Sequence, residues 1–158
     1  GMGITSGPST GAVSLSGAGD LPYLAFDPTS IERSNFSVAM PKSWDEGDLT
    51  AKVYWAHPAT TTNFGVVWAV QAAAFGDDDT LNVDVYIGAD VTDTGGTTSD
   101  LYISPETGPI NPGNAQAEGD LLVCRVLRQA TSGSDTLAVD AYLIGVMLFY
   151  TTNTNTDN

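Results

Sequence analysis

The sequence has few of the residues on which covalent cross-links and metal cages depend. Of its 158 residues one is a cysteine, Cys124, so no disulfide can form within the chain. Apolar neighbours predict that this thiol is buried. One residue is a histidine, His57, which excludes sites built from two histidines or from several thiolates. His57 precedes Pro58 without any nucleophile-elbow motif, and this predicts a partly exposed residue at a strand end.

Basic residues are also scarce. Five lysines and arginines stand against nineteen aspartates and glutamates, giving a net charge of −14. Such a surface repels phosphate backbones and anionic lipids, so we expect neither nucleic acid nor a membrane as partner. No apolar run reaches the length of a membrane span, and a signal peptide is not expected. The acidic excess suits a saline environment or plain solubility, and Gly1 before Met2 resembles a remnant of a cleaved tag.

What the chain does contain is a series of short stretches with an apolar residue at every second position. Residues 49–57 and 81–87 alternate in this way, and residues 64–75 are apolar at nearly every position, as in a strand buried on both faces. Residues 90–99 are predicted to be a loop, and no stretch predicts a convincing helix. The pattern predicts an all-β, single-domain antiparallel β-sandwich of about eight strands, jelly-roll-like.

The domain is expected to span residues 21–150. Before it, residues 1–20 are rich in glycine, serine and threonine, which predicts a flexible or extended N-terminal arm. After it, residues 151–158 are predicted to form a polar tail.

The longest regular pattern covers residues 118–150, which we interpret as a hairpin of two long antiparallel strands. A loop over residues 129–136 would join them. The odd positions from Leu137 to Phe149 would face the core, together with Leu122, Cys124 and Val126 of the first strand. If the loop is symmetric, Arg125 faces Asp140, and the two opposite charges would help to fix the register.

The second strand of this hairpin is also apolar at its even positions near the end. Those four residues need cover, and another copy of the chain is a candidate. The stretch over residues 64–75 is apolar on both faces, and its second face also needs cover from another chain. We therefore predict a homo-oligomer, with a trimer as the expected state. The predicted interface residues are Ile144, Val146, Leu148 and Tyr150.

Ligand-binding candidates are few. A run of three carboxylates makes calcium a conceivable ligand, but the run lacks the spacing of an EF-hand loop and also suits a solvated turn. Trp44 lies in a predicted turn and is a candidate ligand contact, whereas Trp55 and Trp68 fall on core faces. The three carboxylates are Asp77, Asp78 and Asp79.

Pairs of carboxylates for glycoside hydrolysis could be drawn from four acidic residues, but nothing in the sequence fixes their separation. We therefore predict no cofactor, no catalytic residues and no enzymatic activity. The four residues are Asp84, Glu106, Glu118 and Asp120.

Four segments are distinctive in combination: MPKSWDEG at 40–47, TTNFGVVWAVQ at 61–71, VTDTGGTTSDLYISP at 91–105 and GSDTLAVDAYLIGV at 133–146. Together they resemble a family of small structural proteins of tailed phages and prophages. The resemblance implies a virion component, such as a tail-fibre, head-fibre or decoration protein, made in the host cytoplasm. It implies other virion proteins as partners, a cell-surface glycan as a candidate ligand and no catalytic residues. The alternatives are an extracellular carbohydrate-binding module and, third, a small hydrolase.

Overall fold

The computed structural model describes residues 7–17, 19–59 and 63–153, and these form nine strands and no helix. The strands are β1 (Ser9–Leu15), β2 (Gly19–Phe26), β3 (Arg33–Ala39), β4 (Thr50–Ala56), β5 (Phe64–Phe75), β6 (Ile87–Gly95), β7 (Tyr102–Ile103), β8 (Leu121–Arg128) and β9 (Ala141–Phe149).

The strands form two antiparallel sheets. Sheet A has the order β1-β2-β9-β4-β7, and sheet B has the order β3-β8-β5-β6. After the β1–β2 hairpin the chain crosses between sheets at every connection except the one from β5 to β6. Eight strands in this order, β2-β9-β4-β7 against β3-β8-β5-β6, are a jelly roll, and β1 adds a ninth strand beside β2. The predicted sandwich is therefore confirmed.

The core lies between the sheets and is centred on large aromatic side chains. Trp55 of β4 and Trp68 of β5 are fully buried, and Phe26 of β2 packs edge-on against Trp68 with 5.3 Å between ring centroids. Strand β5 is buried along almost its whole length, as predicted. Residues 129–137 continue the pairing along its edge through main-chain hydrogen bonds to Gly65 and Val67. On its second face, Val67, Ala69 and Ala73 are at most 3% exposed within the single chain. This strand therefore needs no second copy to cover it.

The predicted hairpin over residues 118–150 is wrong. Strand β8 lies in sheet B between β3 and β5, whereas β9 lies in sheet A between β2 and β4. Arg125 is opposite Asn35 and Gln71, and its Nη1 lies 3.3 Å from Asp84 Oδ1, so the proposed pair with Asp140 does not form. Alternation identifies the faces of a strand but not its neighbours, and β8 gains ladder hydrogen bonds on both edges in sheet B.

The connection from β8 to β9 is held by a buried ion pair. The Arg128 side chain is fully buried, and its guanidinium donates to both oxygens of Asp135 at 2.7 and 3.0 Å. It also donates to the main-chain carbonyls of Phe26, Leu137 and Val139. All five of its N–H donors are thereby used. This satisfied charge fixes the loop against the end of β2, where the chain passes from one sheet to the other.

Two segments differ from the sequence predictions at the ends of the domain. Residues 9–15, expected in a flexible or extended arm outside the domain, form strand β1, which pairs with β2 from Ser9–Ala25 to Leu15–Gly19. In the predicted tail, Thr152 bridges to Trp44, and the Asn153 amide donates to the Ser43 carbonyl. The rest of these predictions concerns residues 1–6, 18 and 154–158, which lie outside the described residues.

Residues 81–86 do not form the predicted strand, and Leu81 and Val83 are exposed. The strand is β6, which includes most of the predicted loop. It carries little apolar signal because, apart from Val91, its inner positions are small or polar. Asp93 accepts a 2.8 Å hydrogen bond from Trp55 Nε1, and the Phe64 ring occupies the space beside Gly95 where a Cβ would lie.

Candidate functional site

The two sheets separate along one side of the sandwich, where β2 and β9 of sheet A face β3 of sheet B. Two cavities of about 420 and 530 Å³ lie there. Phe36 and Val146 line both of them, so the cavities adjoin. We call this feature the edge groove. Its size is within the usual range of ligand and peptide sites.

The floor of the edge groove depends on a bulge in β9. Tyr54 of β4 pairs with Gly145, but the next residue, Trp55, pairs with Leu143, so Ile144 is an extra residue. Such an insertion reverses the alternation of the strand beyond it. Before the bulge Leu143 packs in the core, and beyond it Val146 and Leu148 do.

Because of this bulge, the prediction that all odd positions of β9 face the core is wrong beyond Ile144. The odd positions beyond it point outward, and Met147 and Phe149 are 42% and 37% exposed. Val139, also expected in the core, is 37% exposed in the loop before β9. Leu137, Ala141 and Leu143 are buried as predicted.

All four predicted interface residues line the edge groove. Ile144 and Val146 line the first cavity, and Val146, Leu148 and Tyr150 line the second. Val146 and Leu148 are partly covered by the core of their own chain, whereas Tyr150 is 45% exposed. Their apolar face therefore points between the sheets rather than away from sheet A.

The other wall of the groove is β3, the outer strand of sheet B. It pairs with β8 from Arg33–Leu127 to Ala39–Leu121, and its second edge has no strand partner within the described ranges. Val38 of β3 lines the groove and remains 39% exposed. An open strand edge beside an apolar groove offers both backbone hydrogen bonds and apolar contacts to an extended chain.

The outer face of sheet A carries a second, aromatic surface. Tyr23 and Tyr142 stack with 3.9 Å between ring centroids, and Lys52 Nζ lies 6.0 Å from the centre of the Phe149 ring. Burial is the main cause that raises the pKa of Tyr142, and its hydrogen bond with Tyr23 adds to the effect. This face presents rings and aliphatic side chains to its surroundings.

The predicted ligand contact at Trp44 is wrong, because its side chain is fully buried in the core. Hydrogen bonds from the Trp44 amide to Pro41 O and from the Asp45 amide to Thr151 O fix the backbone here. A turn in the sequence does not place a large apolar ring in solvent, since burying the ring is strongly favourable.

The acidic run behaves as a solvated turn. Asp77, Asp78 and Asp79 are exposed, and Asp79 Oδ2 accepts hydrogen bonds from the Gly76 amide and the Asn114 side chain at 2.8 and 3.2 Å. Across the described part of the chain, no three His, Cys, Asp or Glu side chains are grouped so that they could hold a metal ion.

Three of the four carboxylates considered for hydrolysis have separate partners. Asp84 pairs with Arg125, and Glu106 accepts from the Thr50 hydroxyl. Asp120 accepts from the Ala117 amide at 2.8 Å. The fourth, Glu118, places its amide 3.0 Å from Glu46 Oε1.

His57 is fully buried rather than partly exposed. Its ring packs against Phe64, Tyr102 and Trp55 with centroid distances of 4.7, 5.5 and 5.9 Å. Neither ring nitrogen has a hydrogen-bond partner among the residues described, and burial lowers the pKa of the imidazole. Cys124 is buried as predicted, and desolvation raises the pKa of its thiol to about 12. These surroundings disfavour both the imidazolium and the thiolate.

Comparisons with models of protein families, with curated proteins and with solved structures find no match. A search of the described residues for helices able to span a membrane finds none.

Proposed function

We propose that this chain is a non-enzymatic structural protein of a tailed-phage or prophage virion, acting in a tail fibre, a head fibre or a decoration layer. It works by assembly with copies of itself, three being the expected number, and with other virion proteins. It is made in the host cytoplasm and resides in the particle. The resemblance of its sequence segments supports the setting, and the jelly roll is an architecture that viral coat domains commonly use.

The observation that carries the assembly role is the edge groove. It combines two adjoining apolar cavities with a strand edge that has no partner among the described strands. Leaving such a surface uncovered favours association with another chain. The apolar side chains on the outer face of sheet A add a second surface for contact, in which Met147 and Phe149 are exposed.

Light scattering on the purified chain at micromolar concentration tests this role. We expect a mass well above the 16.4 kDa of a single chain, consistent with several copies. We also expect Tyr150→Asp to lower that mass, because Tyr150 lies at the rim of the groove and is 45% exposed. A monomeric wild type would contradict the proposal. Leu15→Asp, at an exposed residue outside the groove lining, is the control.

A carbohydrate-binding module is the second candidate. The aromatic outer face of sheet A favours it, since stacked and exposed rings can pack against sugar faces. The Tyr23–Tyr142 stack covers one side of each of its rings, which leaves Phe149 as the most accessible ring of this group. Glycan-array binding that Phe149→Ala abolishes would favour this candidate over assembly alone.

A further inference from the structure

The edge groove has a structural counterpart on the same chain. Residues 81–87, LNVDVYI, alternate between apolar and polar side chains, and residues 81–86 belong to neither sheet. Leu81, Val83 and Ile87 are 68%, 39% and 52% exposed. We call residues 81–87 the donor segment. A stretch that can form a strand and exposes apolar side chains on one side is unusual on a protein surface that has no partner.

The donor segment is held on its own domain through its polar side. Asp84 Oδ1 lies 3.3 Å from Arg125 Nη1, and the Arg125 guanidinium lies 3.8 Å from the centre of the Tyr86 ring. The Val85 carbonyl packs closely against Gly113, where an added Cβ would lie 1.7 Å from its oxygen. Asp84, Val85 and Tyr86 thus anchor the segment, and the exposed side chains of Leu81 and Val83 remain available for another molecule.

The backbone of the donor segment is also available. No hydrogen bond within the described ranges engages the amides or carbonyls of residues 81–86. Strand β3 has unpaired main-chain groups of its own, because its free edge has no strand partner among the described residues and lies beside an apolar groove. A segment with alternating side chains that pairs with such an edge directs every second residue into the groove.

Opposite charges also favour pairing of the donor segment with β3. The acidic turn Asp77, Asp78 and Asp79 directly precedes the donor segment, and all three side chains are exposed. Lys42, one of only five basic residues, is exposed just beyond the end of β3. Every strand pair within the two sheets is antiparallel. An antiparallel alignment with β3 would bring the acidic turn next to Lys42, where opposite charges favour one direction of docking.

We propose that the donor segment of one copy adds a strand to β3 of a second copy and places Leu81 and Val83 in the edge groove. This inference rests on the proposed assembly role and names its partner and its contact. The contact is heterologous, since each copy offers a donor on one surface and an acceptor on another. Repetition of one such contact closes a ring when the rotation permits, and three copies would form the expected trimer.

Separate variants disable the donor segment and the β3 edge that accepts it. The donor variant L81D/V83D places charges at exposed positions, so the fold of the single chain is retained. The acceptor variant Val38→Lys places a charge at the groove wall. Lys42→Glu is a second acceptor variant at an exposed residue outside the core, in case the first perturbs folding. Leu101→Asp, at a residue that is 55% exposed and lies in neither surface, is the matched control.

Sedimentation velocity on each protein and on a mixture supplies the test. We expect the wild type and Leu101→Asp to be oligomeric, and the donor and acceptor variants to be monomeric when alone. Mixing the two monomeric variants should yield a one-to-one dimer, because one intact donor and one intact acceptor remain. A contact between two donor segments, or between two grooves, does not predict this recovery.

The other outcomes separate the two proposals. A monomeric wild type overturns the proposed assembly role as well as this inference. An oligomeric wild type whose mass L81D/V83D leaves unchanged overturns the inference alone. The inference also fails if the two variants stay monomeric after mixing, or if Leu101→Asp dissociates the oligomer to the same extent.

Discussion

The buried pair of Arg128 and Asp135 supplies the sharpest prediction for stability. Truncation of Asp135 to alanine removes both carboxylate acceptors from a fully buried guanidinium and leaves its charge uncompensated. It also removes the acceptor that lies 3.1 Å from the Val67 amide. Breaking a buried ion pair by removing one partner costs about 3–5 kcal/mol. Since domains of this size are stable by about 5–15 kcal/mol, Asp135→Ala should lose a large part of the total.

Urea unfolding, monitored by tryptophan fluorescence, measures this decrease in the free energy of unfolding. All proteins are compared at one concentration, because assembly contributes to apparent stability. Asp84→Ala is the matched control. It breaks the ion pair with Arg125, in which the Asp84 side chain is 84% exposed, and such a surface pair is worth at most about 1 kcal/mol. If Asp135→Ala and Asp84→Ala lowered the free energy of unfolding equally, the structural role assigned to Arg128 would be refuted.

Three further predictions concern one close backbone contact and two buried side chains. Gly65→Ala should destabilise the fold by about 1–3 kcal/mol in urea unfolding, because its Cβ would lie 2.3 Å from the Ser134 carbonyl oxygen; no change would contradict that contact. Burial lowers the pKa of His57 below 6.5, so its contribution to stability should be complete above pH 6.5 and decrease as the pH falls towards the folded-state pKa. His57→Phe should then show a smaller loss of melting temperature between pH 7.5 and 5.5 than the wild type, and equal losses would refute the assignment. Cys124, with a thiol pKa of about 12, should react with a disulfide reagent only after denaturation, and rapid labelling of the native protein would count against its burial.

The sandwich was predictable because alternation reports which side of a strand is buried. It placed Leu122, Cys124 and Val126 on the core face, and all three are buried. It also identified β5 as a strand buried on both faces. These features depend on local periodicity, which the sequence states directly.

Strand partners were not predictable in the same way. Strands β8 and β9 are consecutive and apolar, so a hairpin was the simplest interpretation, yet the connection between them crosses from sheet B to sheet A. Buried Arg128, the last residue of β8, holds this connection through Asp135 and the carbonyls of Leu137 and Val139. The bulge at Ile144 is equally hidden, because it depends on the register with β4. Strand β6 escaped prediction since its inner face includes Asp93 and Gly95 rather than large apolar residues.

One wall of the edge groove consists of residues that the sequence singled out for a different reason. Ile144, Val146, Leu148 and Tyr150 were expected on a face turned away from the core, but they line the groove between the sheets, and their role as an interface stays a prediction. Its second wall needed the structure, because only the topology shows that β3 lies at the edge of sheet B. The donor segment was visible in the sequence as an alternating stretch, but its alternation was interpreted as a strand of the chain's own sheet.

The central claim is that this chain functions by assembling with copies of itself. Sedimentation velocity over a dilution series of the purified wild type tests that claim most directly. The account predicts a species of several chains, with three times the 16.4 kDa monomer mass as the expected value, which gives way to monomer on dilution. A single monomeric species at every concentration up to the micromolar range would contradict it.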